Sequence, residues 1–298
     1  MIDRVRWNEI VISNNGSPLH SWEWNKAVEE FGQTIKWFFL NDDKASIAVP
    51  ILIKYKVFGW IPYGIPYNGD INYIKNKLKK FLFSSGIIGI ITNNYEMFNQ
   101  LELTNFLTNI SLPKKSETII LNLEEKSEDK LFMEFNSSTR KHIRRAIRKN
   151  IECVDFNKDD YSFFFSKYVS FMEKRNLKLP ISKEQLMYLI NLTNNKPSGL
   201  EIFIKKGIID DKKCGFLMVL KIGSRAHEFI RYDDEYFKKF YGPKLLTWEI
   251  IKELIKSNVS IYDFGGVNKK KHPGIYQYKI GFSGDYSISN GFKLLLPL

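Results

Sequence analysis

Apolar positions along the chain change period several times, and these changes mark out its elements. Runs of β-branched and aromatic residues at 35–41 and 45–56 flank the turn Asn41-Asp42-Asp43 and predict paired strands. Helical spacing covers 22–31, 71–84 and a stretch near 95–107, with short apolar strands predicted at 87–92 and 117–123. Further on, helix 137–149 precedes strand 151–155, and helices follow at 159–176 and 182–193. Strands at 200–206, 213–221 and 225–232 form a predicted meander, turning at Asp210-Asp211-Lys212 and Gly223-Ser224. Helix 241–257 leads to strand 259–264, a glycine-rich segment 265–274, a short helix and a final apolar strand 292–297. Strands alternating with helices predict α/β (α+β) architecture with mixed sheets flanked by helices.

At 298 residues the chain suits two domains of about 150 residues each. The acidic, polar stretch Leu123 to Asp129 places the boundary, giving domains 1–125 and 126–298. Both halves run through a similar order of elements without a visible sequence repeat.

Charge sharpens this division. Residues 1–125 hold 13 basic and 13 acidic side chains, whereas 126–298 hold 32 and 20, so the whole net charge of +12 lies in the second part. A one-sided positive field suits a phosphate-rich partner: tRNA, a nucleotide-linked precursor, CoA or an anionic membrane face. Cys153 and Cys214 form no CxxC pair, and the four histidines lack metal-ligand spacing, so no metal and no cofactor is expected. The first residues lack the apolar region of a signal peptide, and the longest apolar run, 81–92, is too short to span a bilayer. The expectation is a cytoplasmic protein, compatible with peripheral contact at the inner membrane face.

Four segments carry candidate chemistry. In the helix over 137–149, Arg140, Arg144 and Arg148 recur every four residues on one face, with Lys141, Arg145 and Lys149 in the adjacent stripe. Guanidinium forks grip paired phosphate oxygens, so these arginines are candidate donor or phosphate ligands. At Tyr241-Gly242-Pro243-Lys244 a glycine and a proline open a helix, making Gly242 and Lys244 further phosphate candidates. In 261–285, Gly265-Gly266 permits close backbone approach, and Lys279 follows Tyr276 and Tyr278. A lysine among aromatics on a rigid element can present charge to a developing oxyanion. The loop Gly59 to Asp70 combines glycines and prolines with Trp60, Tyr63 and Tyr67, and its Asp70 can meet a substrate amine.

Taken in order, these segments resemble the Fem family (FemAB-like) of peptidoglycan-bridge aminoacyltransferases, within the acetyltransferase-fold (GNAT-like) superfamily. The resemblance rests on His20-Ser21-Trp22-Glu23-Trp24, Ile61-Pro62-Tyr63-Gly64-Ile65-Pro66, the basic helix Arg140 to Lys149, Arg175 ending a long helix, and Glu228 to Asp233. Its most specific parts are Tyr262-Asp263-Phe264-Gly265-Gly266 and Gly274 to Phe282, where the family commonly has Phe in place of Tyr278. It implies two tandem acetyltransferase-like domains, the first acceptor-binding, the second donor-binding and catalytic. It further implies an aminoacyl-tRNA donor and, as acceptor, an amine on a nucleotide- or lipid-linked cell-wall peptide precursor. Lys279, with Tyr278, would stabilise the oxyanion. Arg175 and Tyr232 would hold the acceptor's phosphate-bearing head, and Asp70, Lys26 and Tyr63 would lie near the acceptor. The chain departs from the family in lacking a predicted coiled-coil arm in its second half.

No GxSxG segment or Cys–His pairing signals a covalent intermediate, so direct transfer is expected. Two other readings fit the same residues. One is an acyl-CoA-dependent N-acyltransferase acting on a sugar, lipid or small amine. The other is a non-catalytic RNA- or membrane-binding protein using the basic helix.

Overall fold

A computed structural model describes residues 3–54, 56–95, 109–112, 116–194 and 199–295. In chain order the elements are α1 (Arg4–Ser13), α2 (Trp22–Glu30), β1 (Ile35–Asn41), β2 (Ala45–Lys54), β3 (Phe58–Ile61), β4 (Asn68–Gly69), α3 (Ile71–Ser84), β5 (Gly89–Tyr95), β6 (Asn109–Leu112) and β7 (Glu117–Asn122). They continue with α4 (Glu128–Glu134), α5 (Ser137–Arg148), β8 (Glu152–Asp155), α6 (Asp160–Glu173), α7 (Lys183–Asn194), β9 (Glu201–Ile209), β10 (Lys212–Ile222), β11 (Arg225–Asp233), α8 (Glu235–Lys239), α9 (Gly242–Lys256), β12 (Ile261–Val267), α10 (Pro273–Ile280) and β13 (Asp285–Leu295). The sheets are mixed and flanked by helices, as the alternation of periods predicts.

The chain forms two compact units, one of residues 1–118, 187–200 and 286–298, the other of 119–186 and 201–285. The units are not two contiguous halves, since residues 187–200 and 286–298 belong with the first. The reason lies in the last strand: β13 pairs antiparallel with β5 from Ser289↔Tyr95 to Leu295↔Ile90, which returns the end of the chain to the first unit.

In the first unit β1 and β2 form the expected hairpin, Ile35↔Leu52 through Asn41↔Ser46. β2 pairs with β3 antiparallel, and β3 with β5 parallel. Alternation along β2 buries Ile47, Val49 and Ile51 against Ile74, Leu78 and Leu82, which recur every four residues on α3. Helix α1 is not predicted by the pattern. Asp3 caps it, and it buries Trp7, whose indole donates to the His20 carbonyl at 2.8 Å. Opposite it the fully buried Glu23 is held by Arg4 at 2.7 Å and by Asn8. The helix expected near 95–107 lies almost wholly outside the described residues.

The second unit runs in the strand order β7-β12-β11-β10-β9-β8. β8 to β11 form an antiparallel meander, and β12 returns parallel to β11 after α8 and α9. Helix α9 turns Leu245, Leu246, Ile250, Ile251 and Leu254 into the core. The ring of Phe237, from α8, fills the space that side chains on Gly207, Gly215 and Gly242 would need; an added Cβ would lie 2.1, 2.7 and 2.2 Å from it. Three glycines from separate elements therefore make room for one aromatic anchor.

Candidate active site

The site of the second unit begins with one extra residue in β11. Leu217 pairs with Arg231 and Met218 with Ile230, but Val219 pairs with Glu228, leaving Phe229 as a β-bulge. In a regular strand, residues three apart point to opposite faces. The bulge instead puts Glu228, Arg231 and Asp233 on one face.

On that face the Arg231 guanidinium grips Glu228 with two donors, at 3.1 and 3.2 Å, and meets Asp233 at 3.4 Å. It also donates to Thr247 Oγ1 of α9 and lies over the Tyr278 ring, 5.2 Å from its centroid. Tyr262 donates to Glu228 at 3.0 Å. Burial opposes ionisation of Glu228, but the charges of Arg231 and Lys279 and these hydrogen bonds outweigh it and hold its carboxyl below the usual range. Asp233 goes the other way. Burial raises it, Arg231 offsets this only in part, and the Glu228 charge adds to the rise. Its Oδ1 is buried without a hydrogen-bond partner.

Lys279 projects from α10 and is buried. Its ammonium donates to three successive carbonyls: Phe264, Gly265 at 3.2 Å and Gly266 at 3.1 Å. These oxygens converge because Gly265 is left-handed, with φ +72°, where a Cβ would also press on the Glu228 carbonyl at 3.2 Å. Burial lowers the Lys279 pKa, and the nearby Glu228 and Asp263 charges counter part of that. The close approach expected at Gly265-Gly266 is thus an approach to the lysine itself.

Around this network lies a cavity of about 550 Å³. Among its lining residues are Phe171, Arg175, Glu228, Arg231, Asp233 and Lys244, with Tyr278 and Lys279 at the base of α10. Lys244 donates to Thr139 at 2.7 Å, and its pKa is lowered by burial. Arg175 stacks on Phe171 at 4.1 Å. Among the described residues no group of His, Cys, Asp and Glu could hold a metal ion, and no helix is long and apolar enough to cross a membrane.

Of the residues singled out from sequence, the cavity gathers Lys279, Tyr278, Arg175 and Lys244. The Tyr278 hydroxyl is not free to act there. It donates to the Pro243 carbonyl at 2.9 Å, meets Thr247 at 2.7 Å, and burial pushes its pKa up. Tyr232 points to the opposite face of β11, against Phe216 and Phe171. Gly242 packs on Phe237. Along α5, Arg140 donates to the Met133 and Phe135 carbonyls and Arg144 covers the Phe132 ring, leaving Arg148 exposed. The neighbouring stripe reaches toward the cavity instead: Arg145 lies over Tyr241, a lining residue, and Lys149 over Phe240. In the first unit Asp70 caps α3, Lys26 pairs with Glu29 at 2.9 Å, and Tyr63 occupies a left-handed turn at φ +59°. The roles of Arg231 and Asp233 and the ionic role of Glu228 are not visible in the sequence, because their spacing of three and two shows no strand period until the bulge is known.

The family model of the FemAB family matches residues 228–288, the stretch that supplies Glu228, Arg231, Asp233, Tyr278 and Lys279. No curated protein matches the chain in sequence. Among solved structures, FemX is similar over 99% of this chain and 96% of its own, at 13% identity and a TM-score of 0.78. The C-terminal domain of a putative lysylphosphatidylglycerol synthetase from Agrobacterium fabrum is similar over 98% and 92%, at 11% identity and a TM-score of 0.61. A tandem GNAT protein from the clavulanic acid biosynthesis pathway is similar over 98% and 94%, at 9% identity and a TM-score of 0.56.

Proposed function

We propose, from the FemAB family match over residues 228–288 and the FemX-like fold, that the chain transfers an aminoacyl group from aminoacyl-tRNA to an amine of a cell-wall peptide precursor. The observation that carries this reading is Lys279: a buried, fixed cation on the wall of a cavity that also presents Arg175 and Lys244. An aminoacyl ester is already activated, so the protein has to align amine and carbonyl and stabilise the charge that develops.

The amine nitrogen attacks the ester carbonyl, the new N–C bond forms, and the negative charge collects on the carbonyl oxygen. An oxyanion accepts hydrogen bonds more strongly than a backbone carbonyl. One Lys279 proton can therefore turn from its carbonyl cage to the oxyanion while the other two keep the ammonium in place. Collapse breaks the ester C–O bond, and the proton lost by the amine ends on the departing ribose oxygen. Arg175 and Lys244 offer charge to phosphate groups of the bound substrates. Arg231 keeps the wall in register by tying β11 to α9 and Tyr278.

The test is donor-dependent transfer by the purified protein. A pool of tRNA charged with radiolabelled amino acids is supplied with nucleotide-linked and lipid-linked peptide precursors. RNase-sensitive labelling of a precursor is the expected result. Labelling that needs an acyl-CoA pool and ignores RNase would replace the tRNA donor with CoA.

A further inference from the structure

Helix α3 lies outside the machinery described above, and its exposed side has a composition that its fold does not explain. The helix turns Ile74, Leu78 and Leu82 into the core of the first unit. Its other positions include Lys75, Lys77, Lys79 and Lys80, and no Asp or Glu occurs anywhere from Ile71 to Tyr95. The acidic side chains near this helix stand at its start, where Asp70 caps it and Asp42 accepts from Tyr73 at 2.7 Å close to Lys77, so the positive excess lies toward its C-terminal end.

At the end of this basic stretch stands Phe83, 84% exposed. It lies three residues beyond Lys80 and four beyond Lys79, so both share its side of the helix. Beyond the helix, Ile88 is 52% exposed. Its backbone N–H donates to the Val57 carbonyl at 2.9 Å, which sets the turn carrying the exposed Lys56 beside it. Two large apolar side chains therefore project from lysine-bearing backbone.

We propose that the C-terminal end of α3, with Phe83, Ile88 and the surrounding lysines, is a contact surface for an anionic lipid bilayer. A lone exposed apolar side chain is ordinary on a protein surface, but Phe83 is 84% exposed and stands on a helix end bearing lysines, the combination an interfacial segment uses. Lysines flanking an apolar tip keep their ammonium groups at headgroup level while their stems and the tip enter the acyl boundary. The charge selects the partner, because the exposed Lys80 and Lys56 beside the apolar tip are attracted to anionic headgroups and gain nothing from zwitterionic ones. This inference does not depend on the reaction proposed for the second unit.

The experiment is co-sedimentation of the full chain with vesicles of phosphatidylcholine alone and of phosphatidylcholine containing a quarter phosphatidylglycerol. Binding is expected to the anionic vesicles only and to weaken as salt is raised. Lys56→Gln with Lys80→Gln should reduce partitioning by roughly tenfold or more, and Phe83→Ser should reduce it without changing the salt dependence. These positions are exposed, so the thermal unfolding midpoint should stay at the wild-type value. Equal binding to both vesicle types, no binding to either, or unchanged partitioning of both variants would overturn the proposal. So would concentration-dependent self-association that Phe83→Ser abolishes in the absence of vesicles, since the face would then be covered by a second copy.

Discussion

Arg231 is the residue on which most of the site's order depends. Removing it leaves two carboxylates, Glu228 and Asp233, buried without their shared cation. Breaking a buried pair of this kind costs about 3–5 kcal/mol. Arg231→Met should therefore lower stability by an amount in that range at neutral pH, measured by urea unfolding. In the variant burial still raises both carboxyls, and only Lys279 and the Tyr262 hydroxyl at Glu228 and the Lys238 charge at Asp233 remain to offset it in part. A raised acid destabilises the fold at any pH where the unfolded chain is ionised, and the penalty fades as pH falls through the unfolded carboxylate range. The loss should accordingly shrink on acidification toward pH 4, and a pH-independent loss would contradict the assigned ion pairs. The cysteines offer a second check. Burial pushes the Cys153 thiol up to about 12, with the Glu249 charge adding to it, and Cys214 up to about 11. Both stay thiols in the native protein, so alkylation by iodoacetamide at pH 8 should be at least about a hundredfold slower than after unfolding. Native-rate alkylation would show that one of them is not buried as described. By the same linkage the unfolded thiols ionise first as pH rises past 9, which erodes stability there.

Lysine 279 was legible from sequence because its neighbours are unusual: two tyrosines before it, a glycine and Phe282 after it. Its surroundings were not. Nothing in the order of residues shows that a left-handed Gly265 aims three carbonyls at its ammonium. Asp70 and Tyr278 were legible as polar groups in suggestive places, and the structure gives each a local partner, a helix terminus and a backbone carbonyl.

At the scale of elements, the strong periodicities carried through. The expected 71–84 coincides with α3, and 137–149 and 241–257 differ from α5 and α9 by one residue or two at their ends. What the pattern missed was short or irregular. Helix α1 has few apolar positions on a regular stripe, α4 begins at the end of the acidic stretch read as a boundary, and α8 is a single turn and a half. The bulge at Phe229 is the costliest omission, because it alone explains how Glu228 and Arg231 meet. The glycine nest around Phe237 tests the packing of the same region. Gly207→Ala would set a methyl group 2.1 Å from the ring, and overpacking of this type costs about 1–3 kcal/mol. Adding Phe237→Leu should recover part of that loss in a double-mutant cycle, since the two changes share one contact. Additive losses would mean that the ring does not set the fit of β9, β10 and α9.

At the scale of the whole molecule, the uneven charge is the property with the widest consequence. All of the net +12 falls in residues 126–298, and there the exposed Arg145 and Lys149 lie beside aromatic side chains at the cavity's edge. If this field receives a nucleic acid, its affinity for tRNA should fall steeply with salt, with a log–log slope on the order of −3 or steeper. Arg145→Gln with Lys149→Gln should flatten the slope by about 1–2, whereas Arg140→Gln should act mainly on stability, because Arg140 is bonded to backbone carbonyls. A slope unchanged by the first pair would move the donor path away from α5.

Lys279, as the proposed cation that meets the oxyanion, carries the reaction proposed for this site. The most direct measurement is single-turnover transfer at saturating acceptor, comparing wild type with Lys279→Met. Loss of one preorganised donor to an oxyanion costs roughly 10²–10³ in rate, so the variant's turnover should fall by that factor. Acceptor affinity, measured by calorimetry on the same preparation, should stay within a few-fold of wild type. Near wild-type turnover, or a loss matched entirely by weaker acceptor binding, would contradict the assignment and leave Lys279 as a clamp on the end of β12.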